Sequence, residues 1–164
     1  MNSNYIKTVL MCWLRFGKQV SIIATEAGKY NSDVIYSTNN QLFEIEVKTS
    51  VADFREDFKK SKHNEYKITT NQWAPNFFIF AVPAELVDKV LPHIENSSYG
   101  LLAINTPFNE ANILVPWDKR VKLVKRPKKL HTRQCNVLVK QIIVKRLASE
   151  LCGIRQKLYA KEGK

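Results

Sequence analysis

The stretch Asp33-Val-Ile-Tyr-Ser-Thr-Asn-Asn-Gln-Leu-Phe-Glu-Ile-Glu-Val-Lys48 decides the fold of this chain. Apolar and polar residues alternate on both sides of a polar centre, which is typical of two short strands. Asn tolerates the positive φ of a tight hairpin turn. The pattern therefore predicts a β-hairpin. A two-residue loop at Asn39 and Asn40 would place Asp33 directly opposite Glu46.

The two-residue period of a strand sorts the side chains of this hairpin onto two faces. One face is apolar and is predicted to lie against the core; it carries Val34, Tyr36, Phe43, Ile45 and Val47. The other face carries Asp33, Ile35, Glu44, Glu46 and Lys48. The second face therefore brings two acids together, with a lysine two residues beyond one of them.

Like charges that face each other across two strands destabilise a sheet. At a separation of ~5 Å and an effective dielectric constant of ~20, the repulsion is on the order of 3 kcal/mol. A divalent cation between Asp33 and Glu46 would remove this conflict, and Lys48 could then orient a water or stabilise charge on a phosphate. The alternative is a solvated strand face on which Glu46 and Lys48 form a screened ion pair.

Two further segments extend the pattern: Lys48-Thr-Ser-Val-Ala-Asp-Phe-Arg-Glu-Asp57 and Phe78-Ile-Phe-Ala-Val-Pro83. An Asp followed a dozen residues later by Glu-x-Lys, on a hairpin that leads into a helix, resembles the PD-(D/E)xK nuclease superfamily. Within it, the two segments resemble the MmcB-type DNA-repair proteins. The resemblance covers roughly residues 5–150 and is strongest over residues 26–83.

The resemblance implies a restriction-endonuclease-like core and metal-dependent hydrolysis of DNA phosphodiester bonds. Asp33, Glu46 and the backbone carbonyl of Val47 would hold Mg²⁺ or Mn²⁺, and Lys48 would position the attacking water. The family has a Glu at about the distance that separates Glu26 from Asp33, so Glu26 is a candidate third catalytic acid. It could equally be a surface residue at the end of a strand.

Ser50 is predicted to cap the helix that follows the hairpin, and Val51, Phe54 and Phe58 are spaced as a buried stripe. In the superfamily this helix borders the catalytic face and often contributes to phosphate binding. Candidate nucleic-acid-binding residues on or after this helix are Lys59, Lys62 and His63. His63 departs from the family, which has an aromatic residue at about this position. The lysines could also be a solvated helix end.

The positive charge of the chain is concentrated in its last third. The net charge is +11; residues 1–118 contain 11 Lys/Arg and 13 Asp/Glu, whereas residues 119–164 contain 15 and 2. Such asymmetry indicates a polyanionic partner, either nucleic acid or an anionic membrane surface, unless the charge serves solubility alone. Residues 119–133 have eight Lys/Arg and no acid. This predicted basic strap supplies four more candidate DNA-binding residues: Arg126, Lys128, Lys129 and Arg133.

The rest of the chain predicts alternating helices and strands. Helices are expected over residues 4–16 and from Pro83, and strands over residues 20–26, 77–82, 99–104 and 113–115, with a turn at 106–112 and a possible strand at 121–124. Residues 134–164 predict a long basic helix that packs on the core or on a second subunit. We therefore expect an α/β protein, with a mixed central sheet flanked by helices in a nuclease-like domain over residues 1–133.

Several classes of protein are not expected. The three cysteines form no Cys-x-x-Cys pair, which argues against a disulfide framework or a zinc site. No apolar run approaches the ~18 residues of a spanning helix, and no secretory signal is recognisable. We expect a cytoplasmic protein without a membrane partner, although the C-terminal helix could lie on a membrane surface.

The sequence supports two main hypotheses for function. The first is a Mg²⁺-dependent deoxyribonuclease that acts in DNA repair or recombination, with a possible homodimer through the C-terminal helix. The second is a non-catalytic nucleic-acid-binding module with a nuclease-like fold. The basic last third supports nucleic-acid binding under either hypothesis and does not discriminate between them.

Overall fold

The computed structural model describes residues 1–68, 70–105 and 116–162. Its strands are β1 (Ile22–Ala27), β2 (Ser32–Thr38), β3 (Gln41–Val47), β4 (Phe77–Pro83), β5 (Gly100–Ile104) and β6 (Val121–Lys125). Its α-helices are α1 (Ser3–Cys12), α2 (Val51–Asp57), α3 (Lys62–Glu65), α4 (Val87–Ile94), α5 (Trp117–Arg120) and α6 (Val137–Glu162). A π-helical turn (Trp13–Gly17) extends α1, and a 3₁₀ turn (Ala84–Leu86) precedes α4. The predicted turn at 106–112 and strand at 113–115 lie outside the described residues.

The six strands form one mixed sheet in the order β1-β2-β3-β4-β5-β6. The pairs β1–β2, β2–β3 and β5–β6 are antiparallel, whereas β3–β4 and β4–β5 are parallel. Parallel neighbours need a crossover connection, and α2, α3 and α4 lie in these connections. The predicted α/β class with a mixed sheet is confirmed.

The hairpin has the register that its alternation predicts. Thr38 pairs with Gln41 and Val34 with Ile45, around a loop of two residues. Asn39 and Asn40 have φ values of 49° and 58°, as a type I′ turn requires. Continued by one residue, this register places Asp33 opposite Glu46.

Each face of the sheet is covered by a different set of helices. The apolar face of the hairpin packs on α1 through Val34, Tyr36, Ile45 and Val47. On the other face, α6 covers β1 and β2, while α2 and α4 cover β4 and β5. The polar side chains of β3 therefore lie on the second face, between α6 and the α2–α3 segment.

The apolar residues of α2 and α6 are only partly buried. In α2, Phe54 is fully buried, but the predicted burial of Phe58 is wrong, because its side chain lies at the end of the helix and is 40% exposed. In α6, Val139 and Ile143 are buried against the sheet, whereas Leu151, Ile154 and Leu158 are about half exposed. Dimerisation through these outer residues stays a prediction.

Within the part of the chain that the structure describes, no helix is both long and apolar enough to span a membrane.

The turn at Asn39 offers a test of the hairpin. Asn39→Ala should lower the free energy of unfolding by about 1 kcal/mol, because alanine is strained at positive φ, while Asn39→Gly should cause no loss. Urea denaturation of both variants measures the difference. Equal stabilities would contradict the assigned turn.

Candidate functional site

Asp33 lies at the start of β2 and is tied to the neighbouring strand. Its Oδ2 accepts a hydrogen bond of 2.9 Å from the backbone N–H of Val47, and its Oδ1 is 3.6 Å from Nζ of Lys7 on α1. Burial and then the negative charge of Glu46 raise the pKa of Asp33. The two carboxyl groups therefore interact electrostatically, as the register predicts.

Glu26 lies on the adjacent strand β1. Thr25 pairs with Val34 and Ala27 pairs with Ser32, and this register places Glu26 opposite Asp33. Its φ of 51° departs from extended backbone within β1, and Ala24 and Ala27, three positions apart, both pack into the cluster that contains residues of α6. The carboxylate accepts hydrogen bonds from Lys7 Nζ and Asn31 Nδ2, and the bond from Lys7 holds its pKa below the ordinary value. Lys7 thus bridges Glu26 and Asp33.

Glu46 is surrounded by three lysines. Its Oε1 accepts hydrogen bonds from Lys48 Nζ (3.2 Å) and Lys60 Nζ (3.0 Å), and its Oε2 accepts one from Lys62 Nζ (2.8 Å). Lys48 and Lys62 are buried, whereas the side chain of Lys60 is 49% exposed. The sequence predicts an ion pair of Glu46 with Lys48 alone, whereas in the structure the negative charge of Glu46 is shared among three lysines.

Glu44 is the innermost acid of this face. Its carboxylate accepts hydrogen bonds from Lys62 Nζ (3.0 Å) and from the Tyr66 hydroxyl (2.7 Å), and its side chain is 1% exposed. Burial raises the pKa of Glu44, an effect that the charge of Lys62 opposes. Glu44 therefore anchors Lys62 and Tyr66 and is closed to solvent.

Asp57, at the end of α2, holds Lys48 from the opposite side. Its Oδ1 lies 2.8 Å from Lys48 Nζ and 2.6 Å from Lys60 Nζ; both contacts are ion pairs without hydrogen-bond geometry. Its Oδ2 is 2.9 Å from Nε2 of His63, whose Nδ1 lies 2.8 Å from the Tyr99 hydroxyl. Burial opposes ionisation, but His63 and the lysines hold the pKa of Asp57 well below its usual range.

We call Glu44, Glu46, Asp57, Lys48, Lys60 and Lys62 the charge cluster. Its three acids and three lysines balance, which explains how so many ionisable groups lie at one partly buried place. Lys48 is fixed between Glu46 and Asp57, so its ammonium group has a defined position next to the Asp33–Glu46 pair. Such a fixed positive charge can stabilise negative charge that develops on a reacting group.

The predicted nucleic-acid contacts on α2 and α3 are only partly at the surface. Lys59 is exposed and pairs with Glu56 at 2.6 Å. Lys62 and His63 are buried, because their polar atoms face Glu44, Glu46 and Asp57. Their predicted role in binding a phosphate backbone at the surface does not agree with this placement.

The basic strap runs beside β5 at the edge of the sheet, and its last residues contact Asn76, which directly precedes β4. It includes the end of α5 and all of β6; Arg126, Lys128 and Lys129 are exposed, whereas Arg133 is half-buried and donates to the carbonyl of Asn71. The buried Asn76 fixes the strap, since its Nδ2 donates to the carbonyls of His131 (3.0 Å) and Arg133 (2.7 Å). The exposed lysines of the strap are therefore displayed on an ordered backbone.

A metal site at Asp33 and Glu46 fits the donor chemistry of the chain but has a competitor. Hard carboxylate oxygens are the ligands that Mg²⁺ prefers, and the repulsion felt by Asp33 is what a cation would relieve. Both oxygens of Glu46, however, already contact lysines. Among the described residues, no group of three or more His, Cys, Asp or Glu side chains is arranged to hold a metal ion.

Lys7 and Asp57 were not predicted as site residues. Lys7 comes from α1, more than twenty positions before Asp33, and no local pattern links the two. Asp57 and Lys60 have the three-residue spacing of a helical ion pair, which is a signal in the sequence, but that spacing is common on surfaces. The burial of Asp57 distinguishes it, and burial depends on the packing of the α2–α3 segment on the sheet.

Comparisons with known proteins bear on the fold alone. No protein-family model and no curated protein matches the chain. The fold is similar to the solved structure of SPO1766, a protein of unknown function from Silicibacter pomeroyi, with a TM-score of 0.62. The alignment covers 100% of this chain and 95% of that one at 17% sequence identity.

Asp57 should control the stability of the protein in acid. Because its folded-state pKa is lowered, its contribution is present above the unfolded value of about 3.9 and is lost as the pH falls below it. Asp57→Asn should lower the free energy of unfolding by about 3 kcal/mol at pH 7, since it removes one member of a buried ion cluster. The gap between the two proteins should shrink below about pH 4.

Urea denaturation between pH 7 and pH 3 measures this gap. Asp88→Asn, which changes an exposed carboxylate on α4, is the matched control and should leave the stability nearly unchanged. A gap that stays constant over the whole range would contradict the role assigned to the Asp57 charge.

Proposed function

We propose that this protein is a metal-dependent nuclease that hydrolyses phosphodiester bonds of DNA, in repair or recombination. The observation that carries the proposal is the fixed position of the Lys48 ammonium group between Glu46 and Asp57, beside the interacting carboxyl groups of Asp33 and Glu46. An ordered cation next to two opposed carboxylates is the arrangement that phosphodiester hydrolysis by the PD-(D/E)xK type requires. The resemblance of Asp33 and the Glu46-x-Lys48 pattern to that superfamily supports the same function.

Asp33, Glu46 and the backbone carbonyl of Val47 would hold Mg²⁺ or Mn²⁺. The bound ion would polarise a phosphate oxygen and make water more acidic. Lys60 is the member of the charge cluster that can yield its place on Glu46, because its side chain is half exposed. Lys48 and Lys62 are buried and would stay.

Side chains of the protein would orient the attacking water and neutralise charge on the phosphate. Lys48 would orient the attacking water or neutralise charge on the phosphate, and Asp57 would keep its ammonium group in place. Glu26 would act through Lys7, which it holds next to Asp33. Lys60, whose side chain is half exposed, would present positive charge to an incoming phosphate, and the buried Lys48 would contribute through its fixed charge.

The surface around the charge cluster suits a long polyanion. Lys59 on one side and Arg126, Lys128 and Lys129 of the basic strap on the other are exposed cations. The backbone N–H of Leu42 donates to Asn76, which anchors the strap, and four residue steps along β3 separate Leu42 from Glu46, a distance of about 13 Å. A nucleic-acid strand could therefore contact both regions at once, through contacts that are largely independent of sequence.

A second candidate function is a nucleic-acid-binding module that does not cut. The observation that favours it is the occupation of both Glu46 oxygens by lysines, which leaves that carboxylate neutralised without a metal ion. In such a module the charge cluster would be a structural element, and the exposed cations would bind the backbone. The affinity for DNA would then not depend on metal ions.

Cleavage assays with single-stranded, duplex and branched DNA in Mg²⁺ or Mn²⁺ test the proposal. We expect cleavage by the wild type, and a loss of about 100-fold or more in Glu46→Gln and Lys48→Ala, because the first weakens a metal ligand and the second removes the charge that acts on the water or the phosphate. Lys89→Ala, an exposed lysine on α4, is the control and should cleave normally. Thermal melting of each variant checks that it is folded.

The two possible failures have different meanings. If no DNA is cut under any of these conditions, the enzymatic proposal is wrong, and retained DNA binding would favour the second candidate. If DNA is cut but the Glu46 and Lys48 variants cut as fast as the wild type, the activity belongs to other residues.

A further inference from the structure

A cavity of about 440 Å³ opens on the face of the sheet that carries the charge cluster, and its volume is in the range of small-molecule sites. Its walls come from three parts of the chain: the segment from Phe58 to Lys67, the start of β5 around Tyr99, and Leu130 of the basic strap. None of the residues proposed to act on the phosphate lines this cavity. It is therefore a separate site that the proposed chemistry does not use.

The cavity lies between the charge cluster and the basic strap. On one side, its wall residue His63 contacts Asp57, and Asp57 contacts Lys48. On the other side, Leu130 belongs to the strap, whose Lys128 donates its backbone N–H to the carbonyl of Ser98 at the cavity wall. A strand that runs from the charge cluster to the strap would pass over this opening.

The walls of the cavity are rich in aromatic rings. The ring of Phe58 is stacked near His63, with centroids 5.9 Å apart and planes at 21°, and near Tyr99, at 6.4 Å and 29°. Phe58 is 40% exposed, although it belongs to a stripe whose other members face the core. A large ring left at the mouth of an aromatic cavity can stack on a flat, unpaired base.

Positive charge surrounds the opening. Lys67 lines it and is exposed, and Lys128, which is also exposed, lies two residues before Leu130 and donates its backbone N–H to Ser98 at the cavity wall. The acids nearest the cavity are already neutralised, since Asp57 and Glu44 pair with lysines of the charge cluster. The site thus offers stacking surfaces for a base and cations for the phosphates on either side of it.

We infer that this cavity receives one unpaired nucleobase of the strand whose phosphodiester bond lies at the charge cluster. The inference rests on the proposed function and names its substrate class: DNA that is single-stranded or contains an unpaired nucleotide. A base paired within a duplex is stacked between its neighbours and could not enter a concave site without leaving the helix.

DNA binding without metal tests the inference independently of cleavage. Fluorescence anisotropy in EDTA compares a short oligothymidylate with a strand of the same length made of abasic sugars, which has the same phosphates and no bases. The wild type should bind the oligothymidylate more tightly. Phe58→Ala should weaken that binding by about 5- to 50-fold and leave the abasic strand unaffected, because it removes a stacking surface for the base and no contact with a phosphate.

Matched variants separate stacking from general effects. Phe16→Ala removes a ring that is 65% exposed outside the cavity, and it should change neither affinity. Phe58→Trp retains a stacking surface and should restore the preference for the oligothymidylate. Thymidine monophosphate should compete only weakly, because it lacks the contacts with the strap; competition as strong as that of the oligonucleotide would identify a site for free nucleotides and overturn the inference.

Equal binding of the two strands by the wild type, or an equal loss for both strands in Phe58→Ala, would also overturn it. The outcomes distinguish this inference from the proposed function. A wild type that cuts DNA but does not discriminate between the strands refutes only the base site. A wild type that prefers the oligothymidylate but cuts nothing refutes only the nuclease.

Discussion

The structure depends on placing Glu46 and Glu44 on the covered face of β3. Neither carboxylate could stay charged there without partners, because burial of an isolated charge costs several kcal/mol. The α2–α3 segment supplies those partners, Lys60 and Lys62, while Lys48 comes from the end of β3 itself. The packing of this segment on the sheet and the position of the candidate catalytic amine are therefore consequences of one electrostatic requirement.

The same requirement links the three regions of the candidate site. Asp57 balances Lys48 on the side of the charge cluster, and through His63 it reaches Tyr99 at the cavity wall. The basic strap closes the other side of that cavity, since Asn76 fixes its backbone. The lysines of the charge cluster, the aromatic wall of the cavity and the basic strap are thus connected to one another by direct contacts.

The sequence predicted the elements whose signals are local. The alternation of β2 and β3 and the Asn39–Asn40 turn were enough for the register, because a shift by one residue would move every apolar side chain to the wrong face. No local sequence pattern predicts the positive φ of Glu26. The burial of Lys62 was also missed, since lysine is usually exposed and only contacts between distant segments offset its desolvation.

The proposed metal site requires that Glu46 exchange its contact with Lys60 for a metal ion shared with Asp33. Calorimetric titration of Mn²⁺ into the wild type, Asp33→Asn and Lys60→Ala tests this claim most directly. We expect binding by the wild type, tighter binding by Lys60→Ala because a competing charge is gone, and loss of binding in Asp33→Asn. Absence of binding by the wild type, or binding that Asp33→Asn leaves unchanged, would contradict a metal site between Asp33 and Glu46.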